Sequence, residues 1–328
     1  MKLLINLGLA VIAITISTAN AERQTLTIYT YSSFVSDWGP GPIIKERFES
    51  TCDCEVDFVS VEDGSALLSR LRLEGSRSKA DIILGLDTNL MVEAKETDLL
   101  APHGLNISNL KLAIQWSDDT FLPYDYGHFA FVYDSYALEI IPKTLEEFVR
   151  DTDGPRLIIQ DPRTSTPGLG LILWVQSVFG DKSSEAWSEL KPRILTVTKG
   201  WSEAYGLFLN GEAPIVLSYT TSPAYHRHVE KTDRYKAAEF AEGHYAQIEI
   251  AAKLIDSDHQ ELADKFLKFM LSPAFQDVIP TTNWMFPAGV TSKPLPEAFS
   301  GLVQPQKTLL LEPEKVADQR QKWVREWL

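Results

Sequence analysis

The sequence predicts an α/β protein folded into two lobes, and three observations lead there. Short apolar runs of strand length alternate with helical apolar periodicity along most of the chain. Four of those runs pass into helices through turns rich in small polar residues and aromatics. About 300 residues exceed what one hydrophobic core usually holds. No repeat, low-complexity tract or linker rich in Pro, Gly and Ser divides the 328 residues, so the connections between the lobes are expected to interweave.

The chain opens with Met1-Lys2, an apolar stretch over 3–16, and Ser17-Thr18-Ala19-Asn20-Ala21, whose last three residues form an A-x-A cleavage signal. This predicts an exported chain cut after Ala21, leaving 307 of the 328 residues; loss of Lys2 moves the net charge from −14 to −15. The apolar stretch is shorter than the ~20 residues a membrane span needs, and no cysteine follows the cut to carry a lipid. A first strand is read over 26–30, then Tyr31, a Gly39-Pro40-Gly41-Pro42 turn and a helix over 43–50. A strand over 56–61 runs through Glu62-Asp63-Gly64-Ser65 into a helix over 66–73, and a buried strand over 81–86 precedes a helix over 89–99.

Lobe 1 is placed over 22–124 plus 247–328 and lobe 2 over 125–246, with Pro123-Tyr124-Asp125-Tyr126-Gly127 as the crossing and a strand over 129–133 after it. Thr144-Leu145-Glu146-Glu147 is a capping box that opens a helix to Arg150. A strand over 156–159 meets an apolar helix over 169–179 through Gln160-Asp161-Pro162-Arg163-Thr164-Ser165-Thr166-Pro167-Gly168, where Thr166 suits the N-cap and Pro167 the first helical position. A strand over 194–198 leads through Lys199-Gly200-Trp201 into a helix that Gly211 can end. Another over 214–218 leads through Tyr219, Thr220 and Thr221 to Ser222 and Pro223, again N-cap and first position. The stretch 246–255 reads as the return crossing, followed by a helix over 261–270; Val316, Trp323 and Trp327 form a helical stripe in 313–328.

Ligands of open α/β sheets bind outside the carboxyl ends of the strands, where these four turns lie. The helix starts among them attract anions. The acidic charge is wrong for nucleic acid or an anionic membrane surface; it suits a cationic ligand, and equally it suits solubility. Of the six histidines, His226 and His228 lie at i, i+2 on a predicted helix and point apart, so no metal motif forms. There is no GxGxxG, Walker loop, GxSxG or HExxH, and Ser165 has no base identifiable by spacing, so catalysis finds little support. Cys52 and Cys54 are read first as a small structural disulfide, with a free nucleophile as the alternative; two thiols without a nearby histidine make a poor metal site. Trp174 and Trp187, inside helix patterns, are assigned to the core.

Nearly the whole mature chain resembles the thiamine-binding proteins of bacterial ABC importers, within the two-lobed type II class of periplasmic solute-binding proteins. The resemblance rests on Thr30-Tyr31, 37–42, Glu62-Asp63-Gly64, 160–170, 196–208, 217–225 and Asn283-Trp284-Met285. It implies an α/β fold with a ligand cleft between lobes joined by crossover strands, and a non-enzymatic transport role in the periplasm. The ligand implied is thiamine or its mono- or diphosphate, and the partners are a permease and its ATPase subunits at the inner membrane, with the binding protein a monomer. Asp63, Gly64, Ser165, Thr166, Trp201, Tyr219, Thr220, Thr221 and Ser222 would contact the ligand, and Tyr31, Tyr225 and Trp284 would line the pocket. Asp63 would be either counter-ion to the thiazolium or a helix-cap acceptor, and Ser165 and Thr166 would suit a phosphate. A ferric-ion-binding protein of the same fold is the runner-up, although Tyr219 and Tyr225 are six apart instead of adjacent; a thiamine-cleaving enzyme with a cysteine nucleophile is a third reading.

Overall fold

The computed structural model describes residues 23–112 and 114–328; the export peptide read over 1–21 lies outside them. Three parallel strands begin the fold: β1 (Gln24–Tyr31), β2 (Cys54–Val61) and β3 (Ile82–Asp87), with β1 between the other two. The crossovers are the helices Gly41–Glu49 and Gly64–Glu74, and all six residues of β3 are buried, as expected of a parallel strand covered on both faces. The Cys52–Cys54 disulfide closes the turn that enters β2.

The helix expected over 89–99 is instead a 3-10 turn, Thr88–Leu90, followed by a short helix, Met91–Lys95. Asp87 caps this turn by accepting from the Asn89 backbone, the Thr97 hydroxyl bonds back to the Ala94 carbonyl, and Asp98 turns left-handed. The remaining strands are β4 (Leu100–Ala101), β5 (Leu122–Asp134), β6 (Leu157–Gln160), β7 (Ile194–Thr198), β8 (Ile215–Tyr219), β9 (Tyr235–Ala237), β10 (His244–Leu254), β11 (Phe286–Pro287) and β12 (Thr308–Leu309). They follow the path β2-β1-β3-β10-β5-β8-β6-β7, with β4 and β12 on β10 and β9 and β11 on β5.

The two lobes meet on β5 and β10. Residues 123–127, expected as a connection, lie within β5 itself, whose 13 residues span roughly 40 Å at ~3.3 Å each. Up to His128 β5 pairs antiparallel with β10; from Phe129 to Tyr133 it pairs with β8. The register shifts beside Pro123, which has no N–H to give the ladder. A second shift skips Gly85 of β3, whose φ of 110° favours glycine and whose Cβ would fall 2.2 Å from the Tyr31 ring. The bulge thus makes room for an aromatic at the carboxyl end of β1.

One core cluster gathers Phe131, Phe148, Trp174 and Phe240 with the C-terminal helix Pro313–Trp327, which buries Val316, Trp323 and Trp327. Trp174 and Trp187 are both in this core. A second cluster holds Phe34, Phe48, Phe266 and Phe275 under the first sheet.

Candidate functional site

Each of the four turns places its polar groups differently. Asp63 follows β2 by two residues and caps the helix Gly64–Glu74, accepting from the Gly64 backbone at 2.8 Å. Its carboxylate also accepts from two hydroxyls of the other lobe, Ser165 at 2.8 Å and Thr166 at 2.9 Å. The backbone N–H of Ala66 donates to the Thr164 carbonyl alongside them. A Cβ on Gly64 would meet the Gly85 carbonyl oxygen at 2.4 Å and the Thr166 methyl at 2.6 Å, so only glycine permits this approach. The helix Thr166–Phe179 is capped by Ser165, one residue earlier than expected, because the Ser165 hydroxyl accepts from the Gly168 backbone.

Gly64, Ser165, Thr166 and Thr220, expected to contact the ligand, are not among the residues that line the cavity. Ser165 and Thr166 are fully buried and spend their hydroxyls on Asp63; Thr220 is buried, with its backbone N–H on the His128 carbonyl. Ser222 was expected to cap a helix, yet its own backbone is helical and its hydroxyl pairs with Ser218 at 2.7 Å and accepts from the Tyr219 N–H. The helix there is short, Pro223–Tyr225, and widens into a π-turn over His226–Glu230.

The other eight expected residues, Tyr31, Asp63, Trp201, Tyr219, Thr221, Ser222, Tyr225 and Trp284, do line one cavity of about 310 Å³ between the lobes, at the small end of the range for ligand sites. Trp201 opens the helix Trp201–Leu209, donates its indole N–H to Ser218 at 2.8 Å and stacks on Tyr205 with centroids 4.8 Å apart. Trp38, half exposed, approaches Trp201 from the opposite lobe at 6.2 Å. Trp284 stands edge-on to Tyr225 at 5.5 Å. Its φ of 55° is unusual for a bulky side chain and costs roughly 1–2 kcal/mol; the indole reaches the cavity from that turn.

The floor is acidic and phenolic. Glu249 of β10 accepts from the hydroxyls of Tyr31 and Tyr124, each at 2.9 Å, and from Gln247, to which Tyr219 donates. Asn283 donates to Asp125 at 2.6 Å. Burial raises the Asp63, Asp125 and Glu249 carboxyls above their ordinary range, and it pushes Asp87 up to about 7 against its bonds from Asn89. Burial likewise keeps the Tyr31 and Tyr219 phenols neutral. No lysine, arginine or histidine is among the described residues lining this cavity.

The sequence reasoning missed Trp38, Tyr205, Glu249, Asn283 and Met285 as wall residues. Glu249 carried a signal: a lone carboxylate in the apolar run 246–252, a position that seldom tolerates one unless it is paired.

A cleft between two α/β lobes whose sheet strands cross twice defines a solute-binding protein. The chain belongs to the family of bacterial extracellular solute-binding proteins, whose model matches residues 40–277. It is 60% identical over 310 residues to the thiamine-binding periplasmic protein of Brucella suis biovar 1, covering 94% of this chain and 93% of that one. With the thiamine-binding periplasmic protein of Escherichia coli it shares 55% over 305 residues, 93% of each chain. A solved periplasmic thiamin binding protein superposes with a TM-score of 0.90 at 54% identity, covering 93% of this chain and 95% of its own. A ferric binding protein from Campylobacter jejuni, at 20% identity and a TM-score of 0.75 over 92% of this chain and 98% of its own, shares the fold alone.

Proposed function

We propose that this chain captures thiamine in the periplasm and delivers it to the permease of an ABC importer. The observation that carries the reading is a cavity walled by indoles and phenols, floored by carboxylates and, among the described residues, lined without a basic side chain. Thiamine joins a permanently charged thiazolium to an aminopyrimidine. Faces of Trp201, Trp284 and Tyr225 suit both rings, and a desolvated cation over such a face gains about 2 kcal/mol. The identity to thiamine-binding relatives over more than nine-tenths of each chain supports the same ligand.

The mono- and diphosphate belong to the proposal as ligands whose phosphate is met by hydroxyls such as those of Thr221 and Ser222, without a cation to neutralise it. The lobes, 22–124 with 247–328 and 125–246, would close by hinge motion where β5 changes partner after His128. The closed monomer would then dock on the permease, which works with its ATPase subunits, after export and cleavage at Ala21. Thiamine cleavage is disfavoured because Cys52 and Cys54 are bonded to each other and neither lines the cleft.

Native mass spectrometry of protein purified from its host tests the reading. A co-purified mass equal to thiamine or a phosphate of it supports the proposal, and an unrelated ligand overturns it. Incubation with thiamine should leave the ring linkage intact.

A further inference from the structure

Three carboxylates lie side by side across the crossing strands: Asp87 of β3 and Asp125 of β5 are the register partners of Glu249 on either side. The Asp125 side chain is wholly buried; one oxygen accepts from Asn283, and the other has no donor among the described residues. The Asn283 amide nitrogen lies 2.6 Å from Asp125 and 3.3 Å from Glu249, so the two carboxyls, register partners on neighbouring strands, gather on one donor. Two carboxylates gathered on one donor inside a protein repel unless a proton is shared between them.

Among the described residues, the groups around the pair supply no cation. Tyr31 from β1, Tyr124 from β5, Gln247 from β10 and Asn283 from the segment before β11 all donate to it or beside it as neutral groups. Tyr219 of β8 donates to Gln247, and Asp87 and Asp63 add only negative charge. The imidazoles on the two crossing strands turn elsewhere, His128 to Thr308 and His244 to the Phe129 carbonyl. Glu249 opens on the cavity.

We propose that Asp125 and Glu249 share one proton in the empty cleft and release it to solvent when a permanently charged organic cation enters, so that this pair selects the cation over its neutral isostere. The inference rests on the reading of the ligand as thiamine. The carboxylic O–H bond breaks, its electron pair stays on oxygen, water or buffer takes the proton, and the positive charge of the ligand replaces it. Burial raises both groups, with the Glu249 charge adding to it at Asp125 and the Asp63 charge at Glu249, so a proton between them is held more firmly than on a free carboxyl.

Linkage fixes the sign. A group that loses a proton on binding makes affinity rise with pH, up to tenfold per unit while the empty cleft holds the proton and the complex does not. Calorimetry of the full chain with thiamine in two buffers of different ionisation enthalpy, from about pH 6 to about pH 8, should show apparent enthalpies that differ in proportion to the proton released. The neutral thiophene analogue of thiamine should bind more than tenfold more weakly and release none. Glu249→Gln and Asp125→Asn, checked for folding by thermal unfolding, should each abolish the buffer dependence and narrow the preference for the cation. If a variant fails to fold, the wild-type buffer and analogue measurements decide alone. Thiamine bound tightly with buffer-independent enthalpy, or no more tightly than its neutral analogue, overturns this inference and leaves the proposed ligand standing. Absence of thiamine binding overturns both.

Discussion

Replacing Ser165 and Thr166 together by alanine removes the two hydroxyls that reach across from one lobe to the Asp63 carboxylate of the other. Hydrogen bonds to a charged group are worth about 1.5–3 kcal/mol each. When the lobes part, both hydroxyls and the carboxylate regain water, so the loss falls on the closed form that holds the ligand. Because Asp63 keeps its bond from Gly64 and the two deletions share one acceptor, we expect about 2–4 kcal/mol instead of the full sum, or roughly 30- to 700-fold in affinity. Ser165 also caps the helix Thr166–Phe179, so stability should fall by about 1 kcal/mol, which thermal unfolding reads separately. The hydroxyls are already committed to Asp63, so thiamine and its mono- and diphosphate should lose affinity alike. Calorimetry with all three ligands, repeated in an Asp63→Ala background, is the assay; there the double substitution should cost almost nothing more. A larger loss for the phosphates, or fully additive losses with Asp63→Ala, would refute the reasoning and return these hydroxyls to the ligand.

Trp201→Ala and Trp284→Ala should each weaken thiamine more than tenfold, about 1.4 kcal/mol, and thiamine should quench the fluorescence of the unaltered protein; unchanged affinity in both variants would remove the stacking role. The double Cys52→Ser, Cys54→Ser variant should bind thiamine normally, since the disulfide lies in the turn before β2 and outside the cleft wall; loss of binding by a folded variant would contradict that placement. In Gly170→Ala the new methyl would sit 2.0 Å from the Phe129 ring. Overpacking of about 1–3 kcal/mol should outweigh the ~1 kcal/mol that alanine gains in a helix, so chemical denaturation should report a net loss of stability.

What near neighbours decide could be read from the sequence. Apolar periodicity set the strands and most helices, Thr144 does cap the helix Leu145–Arg150, and Cys52 and Cys54, two residues apart, do bond. Trp201 and Trp284 stood beside turn residues and both reach the cavity. The helix expected over 89–99 stops at Lys95 because the Thr97 hydroxyl bonds back to the Ala94 carbonyl and Asp98 turns left-handed, while Asn89 spends its side-chain carbonyl on Tyr245, 156 residues away. The roles of the polar turn residues were likewise beyond sequence. Ser165 and Thr166 look the same in sequence whether they face a ligand or a carboxylate, and closure of the lobes brings Asp63 to them from more than 100 residues away. Asp125 and Glu249 become partners through antiparallel pairing of the two crossing strands. Patterning and capping act over a few residues and leave a local trace, whereas the partner of a buried polar group is chosen by how distant strands align, and only the tertiary structure holds that.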